Sequence, residues 1–537
     1  MRNAPKSLSR SLRLSSAGSC VVAGMLLALA STVSAGPMRK WCFISGQEPV
    51  EAELLSIQKG MVTLKAAGNR MREFSFDKFS PEDQVYLFRT ADEDGRPFAF
   101  PAEPGPQTGK GYASQTVPAL GDRPLTLTGA SELHVTDKSA AGRGTVNFGS
   151  PDAWLVFDNT PASKVIDGAV KSMKVYGAPA VVGQNVRVTA YGNGSVVIPQ
   201  GPDYPALTAF TSKGLSGPAI PLQSYVNYDV LKLGVLTSNF GSFRLKRGYM
   251  ATIASNADGS GVSRNYVAQD HDVEVSSLPA GLENSLKFVR IFPWRWTSKK
   301  GVAGGIWQDL NLGWFYDWNI STNSTPDLEY VPIRQKRWWP GLNQDWKARG
   351  SLHLLGYNEP DRPDQAKLTV DEAIASWPEL MATGLRLGAP APSDGGLNWL
   401  YQFIDKADQK GLRVDFVPVH YYRAVADPND PRAAAEQFRA FLDGIHKRVK
   451  RPLWITEWNN GANWTTAPDP NPKQQAAAVE KMIEMLDQTP YVERYAIYNW
   501  VEAVREVKAK DGTLSPAGIV YRDKVSPLAY SQQRPEK

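Results

Sequence analysis

Ser351-Leu-His-Leu-Leu-Gly-Tyr-Asn-Glu-Pro-Asp361 is the stretch on which the reading of this chain turns. An apolar run stops abruptly at a polar cluster, Asn358-Glu359-Pro360-Asp361, the pattern of a buried strand that delivers side chains to its C-terminal end. Leu453-Trp-Ile-Thr-Glu-Trp458 repeats the pattern, with Glu457 closing the apolar run. Six further strand-like runs surround these two: KFVRIFPW, LGWFYDW, LEYVPI, LRLGAPAP, VDFVPVHYY and RYAIYNW. Helical periodicity separates several of them, as in VDEAIASWPELMATG (370–384) and KQQAAAVEKMIEMLDQ (473–488). Eight strands alternating with helices over residues 286–525 predict a C-terminal (β/α)8 TIM barrel, a fold of about 250 residues. Its chemistry sits at the C-terminal strand ends, so polar residues closing apolar strands are the candidates.

Three strand ends carry such residues: Asn358-Glu359 on the fourth, His420-Tyr421-Tyr422 on the sixth and Glu457 on the seventh. Strands four and seven face one another across a barrel mouth. Two carboxyl groups on opposite sides of an acetal carbon are what glycosidic cleavage requires, one protonated and one ionised. A lone glutamate at a strand end is usually a solvated or salt-bridged loop residue. Two, each closing an apolar strand and flanked by aromatics, make a catalytic pair the expectation. Tyr421 or Tyr422 can donate to Glu457 while the other packs inward instead, alternation not saying which, and His420 is either a sugar ligand or a hydrogen-bonded core histidine. Fourteen of the 16 tryptophans lie at or beyond Trp294, and indole faces stack on pyranose rings. Trp314, Trp318, Trp458 and Trp500, at or near strand ends, are the expected sugar platforms; mid-strand Trp454 reads as core.

HLLGYNEPD, VHYY and LWITEW resemble glycoside hydrolase family 128, the Asl-type glycosyl hydrolase catalytic domain, with GWFYDWN and LSPAGIVYRD extending the likeness over 286–525. The resemblance implies a retaining β-glycosidase with Glu359 as acid/base, Glu457 as nucleophile and carboxyl groups about 5–5.5 Å apart. It further implies a β-1,3-glucan substrate, no cofactor and no metal, with Asn358 bonding the sugar 2-hydroxyl. A different β-glycan, or a non-catalytic carbohydrate-binding or cell-envelope role, is the alternative. HExxH, Walker and GxSxG motifs are absent, and five scattered histidines offer no zinc site.

The 537 residues exceed one hydrophobic core and imply several domains. Residues 1–35 read as a signal peptide: Arg2, Lys6, Arg10 and Arg13, then VVAGMLLALA, then Val33-Ser34-Ala35. The expected product is secreted, periplasmic or cell-surface, without stable membrane insertion once the signal is removed. Cys20 leaves with that segment, and Cys42 alone forms no internal disulfide. The net charge of +6 is dispersed, without the like-charge block of a nucleic-acid arm or polybasic patch.

Residues 36–92, with VEAELLSI and GMVTLKA as a hairpin and Ser80 as a helix cap, resemble a small SH3-like barrel; a peptide or cell-surface contact is the partner open to it. Residues 93–120 are Pro- and Gly-rich and read as a linker. Residues 121–285 read as all-β, a Greek-key sandwich. Their second half, from LTAFTSKGLSGPAIPL to LKFVRI, resembles paired β/γ-crystallin motifs, although Thr237–Ser242 and Glu283–Lys287 depart from that family's calcium loops. Residues 526–537 read as a C-terminal tail.

Overall fold

The computed structural model describes residues 38–87 and 113–532, apart from 44, 46, 59–60, 76–77, 81–82, 84–85, 122, 139–144 and 202–203. The expected signal peptide and most of the expected linker lie outside the described residues. The chain is multidomain: a sheet-rich N-terminal region precedes the region that carries the two glutamates.

Strands β1 (Arg39–Trp41), β2 (Val50–Gln58), β3 (Met61–Ala66) and β4 (Arg70–Ser75) form one antiparallel sheet in sequence order. Alternation buries Leu54, Val62 and Leu64 with Trp41 and Phe79, a small core of its own. Ser80 does act as a cap, its Oγ accepting from the backbone N–H of Asp83 at 3.3 Å.

A second unit starts inside the expected linker. Strands β5 (Ala113–Val117), β7 (Ser131–Val135) and β9 (Ala153–Phe157) pair in parallel in one sheet, completed by the hairpin β12 (Val186–Tyr191) and β13 (Gly194–Pro199). Between them in sequence, β6 (Leu125–Leu127), β8 (Val146–Phe148) and β10 (Lys174–Val175) pair in parallel in a second sheet, edged by β11 (Ala178–Pro179). Successive strands thus alternate between two sheets, unlike the antiparallel Greek key expected here, and helix α1 (Ala162–Asp167) interrupts the all-β reading. Turn-bounded short strands look alike in sequence whichever direction their partners run.

The third unit contains β14 (Leu207–Ser212), β15 (Ser216–Leu222), β16 (Ser242–Leu245), β17 (Tyr249–Ala254), β18 (Ser263–Ala268), β19 (Val273–Val275) and β20 (Phe288–Pro293). They pair as β15-β14-β16-β19 and β18-β17-β20. Strand β19 of the second half thus joins the sheet of the first, and Tyr228 of the first half makes an isolated antiparallel bridge to Val289 of β20. The run KFVRIFPW, expected as the first strand of the C-terminal region, is β20 and belongs here, antiparallel to β17. An apolar run buried on both faces carries no mark of the sheet it joins.

The strand that takes its place is β21 (Lys300–Ala303), concealed in the sequence by two lysines. Both ammonium groups are buried against helix C-termini. Lys299 Nζ donates to Asp487 O and Thr489 O at the end of the helix over 472–488, and Lys300 Nζ donates to Tyr521 O and Arg522 O at the end of the helix over 516–523. Then follow β22 (Trp314–Tyr316), β23 (Glu329–Tyr330), β24 (His353–Leu354), β25 (Arg386–Leu387), β26 (Val417–Tyr421), β27 (Leu453–Trp458) and β28 (Val492–Tyr498). All pairings are parallel, in the orders β23-β22-β21-β28-β27-β26 and β24-β25. Parallel bridges Ile333↔Leu355 and Gly388↔Phe416 link the two sets at either end. Helices α2 (Val370–Met381), α3 (Leu397–Gln409), α4 (Pro431–Val449), α5 (Pro472–Gln488) and α6 (Pro516–Asp523) stand between or after these strands. Capping boxes at Thr369/Glu372 and Asn471/Gln474 start α2 and α5.

Alternation sorts the strand residues into two cores. Val419, Tyr421, Ile455 and Trp458 pack outward on α4, α5 and their neighbours. Ala303, Trp314, Tyr316, Phe416, Trp454 and Ala496 pack inward on one another. Below them lies a buried ionic layer in which Glu329 accepts from Arg494 at 2.8 Å and pairs with His353 at 2.8 Å. Of the residues expected as a C-terminal tail, 526–532 are described and are held to the body: Ala529 N–H donates to Thr297 O, and Tyr530 O accepts from Gln269.

Candidate active site

Glu359 follows β24, where the extended backbone runs on to Asn358, which bridges Ala391. The Glu359 N–H donates to Ala391 O at 2.7 Å. Gly356, two residues before Asn358, lies so close to Ala389 and Pro390 that a Cβ would collide with their backbone. Glu359 itself adopts φ 40° and Trp318 φ 58°, left-handed conformations that cost non-glycine residues about 1–3 kcal/mol and must be held by their surroundings.

A bulge sets the other half of the site. Val419 pairs with Ile455 but His420 pairs with Glu457, so β27 carries one extra residue, Thr456. With Trp454 inward, strict alternation would turn Glu457 outward. The extra residue reverses this: Glu457 reaches the cleft and Trp458 turns out to the helices. On β26 the apolar residues Val417, Val419 and Tyr421 face outward, which leaves His420 and Tyr422 inward.

Three donors converge on Glu457. Tyr422 Oη donates to Oε2 at 2.5 Å; Tyr316 Oη and Trp318 Nε1 donate to Oε1 at 3.1 and 2.9 Å. Burial, then the charge of Glu457, drives the Tyr316 and Tyr422 hydroxyls well above the usual tyrosine range, so both remain donors. His420 stands between the carboxylates, its Nδ1 3.0 Å from Glu359 Oε1 and 3.6 Å from Glu457 Oε2. Burial would discharge this imidazole, but the negative charge of Glu457 and the bond to Glu359 raise it above its ordinary value. Burial would likewise keep Glu359 protonated. The His420 bond and charge, with the Arg362 guanidinium 3.5 Å away, overcome it and hold Glu359 below the usual glutamate value.

The groove around these groups encloses about 560 Å³ and is lined also by Gln335, Asn358, Gln365, Trp464 and Tyr498. Asn358 Nδ2 donates to Gln365 at 3.3 Å, while its buried Oδ1 has no partner and stands ready to accept from a ligand hydroxyl. Among the described residues, Glu359, His420 and Glu457 are also the one group of acidic, histidine or cysteine side chains able to close on a metal, offering one atom each within 4.8 Å. The donor set argues against that use. Glu457 is already bound by three donors, and a cation would share the site with Arg362 and an imidazole that leans towards its charged form.

Of the expected site residues, Glu359, Glu457, Asn358, His420, Tyr422 and Trp318 meet in this groove. Trp500 stands beside it, half-exposed and edge-on to Trp318 with centroids 5.6 Å apart. Three expectations are corrected. Trp314 is fully buried beneath Tyr316, its Nε1 bonded to Lys299 O; Trp458 is buried on the helix side; and Tyr421 stacks on Phe438 with centroids 3.8 Å apart. Tyr316, Gln335, Arg362, Gln365, Trp464 and Tyr498 were not anticipated. For Tyr316 the signal was present: Trp314, Tyr316 and Trp318 occupy every second position, a row that climbs from the core to the groove.

The profile of the glycosyl hydrolase catalytic core matches residues 294–521, which places the site in a carbohydrate-cleaving class. An Amycolatopsis mediterranei family 128 (subgroup I) endo-β-1,3-glucanase, solved with laminaritriose, is 31% identical over 42% of this chain and 98% of its own, with a TM-score of 0.37. A Sorangium cellulosum subgroup II endo-β-1,3-glucanase is 24% identical over 43% and 100%, with a TM-score of 0.35. A Trichoderma gamsii subgroup VII oligosaccharide-binding protein is 23% identical over 42% and 93%, with a TM-score of 0.34. No curated protein matches the chain. The identity and coverage of the Amycolatopsis enzyme, with the catalytic-core match, decide the matter: through its C-terminal region this chain belongs to glycoside hydrolase family 128.

Proposed function

We propose that the protein is an exported, retaining endo-β-1,3-glucanase whose eight parallel strands close as a (β/α)8 barrel, with Glu359 as acid/base and Glu457 as nucleophile. The observation that carries this reading is the meeting of Glu359, His420 and Glu457, one atom of each within 4.8 Å, inside a groove edged by Trp318 and Trp464. The two bridges that link the strand sets support the closed barrel. The substrate follows from the relatives' named activity, and export from the basic-apolar-small pattern of residues 1–35. The SH3-like and β/γ-crystallin-like readings of the N-terminal units stand beside it as accessory folds; the crossing of β19 into the sheet of the preceding half favours the latter.

In the first step a Glu457 oxygen attacks the anomeric carbon while a proton passes from Glu359 to the glycosidic oxygen, leaving a covalent glycosyl-enzyme. In the second, Glu359 removes a proton from water, which displaces Glu457 with net retention. Tyr422, Tyr316 and Trp318 hold the nucleophile in place and release it without moving. Since the His420 bond lowers Glu359 while the two carboxylates raise His420, the proton of the first step is shared by that pair, and it shifts to Glu359 as the glycosidic oxygen arrives. Asn358 Oδ1 accepts from a sugar hydroxyl.

Reducing-sugar release from laminarin, curdlan, lichenan, xylan and mannan tests the reading. Wild type is expected to cut the β-1,3-glucans, with Glu359→Gln and Glu457→Gln each lowering kcat by roughly 10²–10⁴-fold. Azide added to Glu457→Gly should yield the glycosyl azide of inverted anomeric configuration, and added to Glu359→Ala the retained one. Binding of a glucan without cleavage by wild type would leave a lectin-like protein and sink the catalytic reading; cleavage of another β-glycan alone would correct the substrate.

A further inference from the structure

A second cavity, of about 440 Å³, lies where the two larger β units meet the C-terminal region. Arg187 and Thr189 of β12 line it, with Gln184, Gln200 and Tyr204 from the neighbouring loops, Tyr225 and Tyr249 from the third unit, and Arg295 and Lys347 beyond β20. Lys347 precedes β24 and Glu359 follows it, so this cavity opens at the opposite end of that strand from the groove.

Its charge is unbalanced. The Arg187 guanidinium donates to Gly248 O at 3.0 Å and Trp294 O at 3.4 Å, and Arg295 donates to Thr325 O and Pro326 O. Every acceptor is a neutral carbonyl. Among the described residues neither arginine nor Lys347 forms an ion pair, and the Nε of each arginine is buried without a partner. The carboxylate whose field reaches Arg295, Glu329, is already taken up by Arg494, His353 and Thr297. Two partly buried guanidinium groups close enough to repel each other, without a counter-charge, are costly to hold. A planar anion bound by both forks relieves that cost.

The remaining walls narrow the ligand. A free inorganic anion needs only charge and little room, whereas this cavity has the volume of a ligand pocket, tyrosine rings in its walls, that of Tyr225 with Lys347 Nζ 6.0 Å from its centroid, and glutamine amides suited to hydroxyl groups. We propose that the cavity binds an acidic oligosaccharide, with a uronate carboxylate against Arg187 and Arg295 and a sugar face against Tyr225. The site is separate from the groove and independent of its chemistry; it would tether the protein to an anionic glycan while the groove works on a neutral one.

Calorimetric titration of the full exported chain with a glucuronic-acid tetramer, cellotetraose and inorganic sulfate tests this. The glucuronic-acid tetramer is expected to bind at least about tenfold more tightly than cellotetraose, and Arg187→Gln and Lys347→Ala each to weaken it by about tenfold or more with laminarin hydrolysis unchanged. Lys347 is exposed, so that variant reports even if Arg187→Gln fails to fold. Absence of tetramer binding, equal affinity for cellotetraose, sulfate binding alone, or binding indifferent to both substitutions would each overturn the proposal.

Discussion

At the scale of single residues, the site is governed by which side chain supplies each proton. Tyr422 makes the shortest of the three bonds to Glu457, and hydrogen bonds to charged groups contribute about 1.5–3 kcal/mol. Tyr422→Phe is therefore expected to lower kcat/KM by roughly 10- to 100-fold, most of it in kcat; steady-state kinetics on a laminari-oligosaccharide checks this. The pH profile follows from the Glu359–His420 pair. His420 is raised, so the shared proton is present below its ordinary value of 6.5, survives above it, and is lost only as pH rises through the raised value. Glu359 is depressed, so its carboxylate persists below its ordinary value of 4.5 and takes a second proton only as pH falls through the depressed value. The alkaline limb of the kcat/KM profile should therefore lie above 6.5, where the shared proton is lost, and His420→Asn should pull that limb to lower pH. An alkaline limb that stays in place would show that His420 holds none of the proton.

At the scale of elements, one extra residue on β27 decides what the strand presents. Thr456 reverses the alternation between Trp454 and Trp458, which is why Glu457 faces the groove and Trp458 does not. The aromatic rim depends in turn on a glycine. Gly304, just beyond β21, has φ 95°, and a Cβ there would lie 1.8 Å from Cη2 of Trp500. Gly304→Ala should displace Trp500 from Trp318 and raise KM for longer oligosaccharides several-fold, with kcat on short ones much less affected. Comparison across laminari-oligosaccharides of increasing length distinguishes this from general loss of fold.

At the scale of the molecule, the units expected as separable modules share a core. Trp154, Val156, Met250 and Val267 of the β units belong to the same buried cluster as Trp294, Trp296 and the outward faces of the parallel strands. Thr252 Oγ1 donates to Gly384 O at 2.7 Å and Arg413 Nε to Ser263 Oγ at 3.2 Å across the same junction. Residues 113–532 should therefore melt as one cooperative unit, and residues 286–525 alone should aggregate or show no cooperative transition. Calorimetry of both chains decides it: an isolated 286–525 fragment melting near the parent temperature would contradict a shared core.

What the sequence by itself determined is the class of the C-terminal region and the two glutamates. An apolar run ending in a polar cluster encodes both burial and strand end, but it left open which of Tyr421 and Tyr422 meets Glu457 and what His420 does. Only the tertiary structure decided the rest. The bulge at Thr456 is a property of pairing with β26 and leaves no mark in the local pattern, so Trp458 read as a sugar platform. Lys299 and Lys300 hid β21 because their burial depends on carbonyls at two distant helix ends. β20 joined the wrong sheet in the reading because burial on both faces has the same composition in parallel and antiparallel surroundings. The unbalanced arginines of the second cavity emerge only where β12, the segment after β20 and the turn before β24 come together, since a missing counter-charge is a fact about neighbours in space.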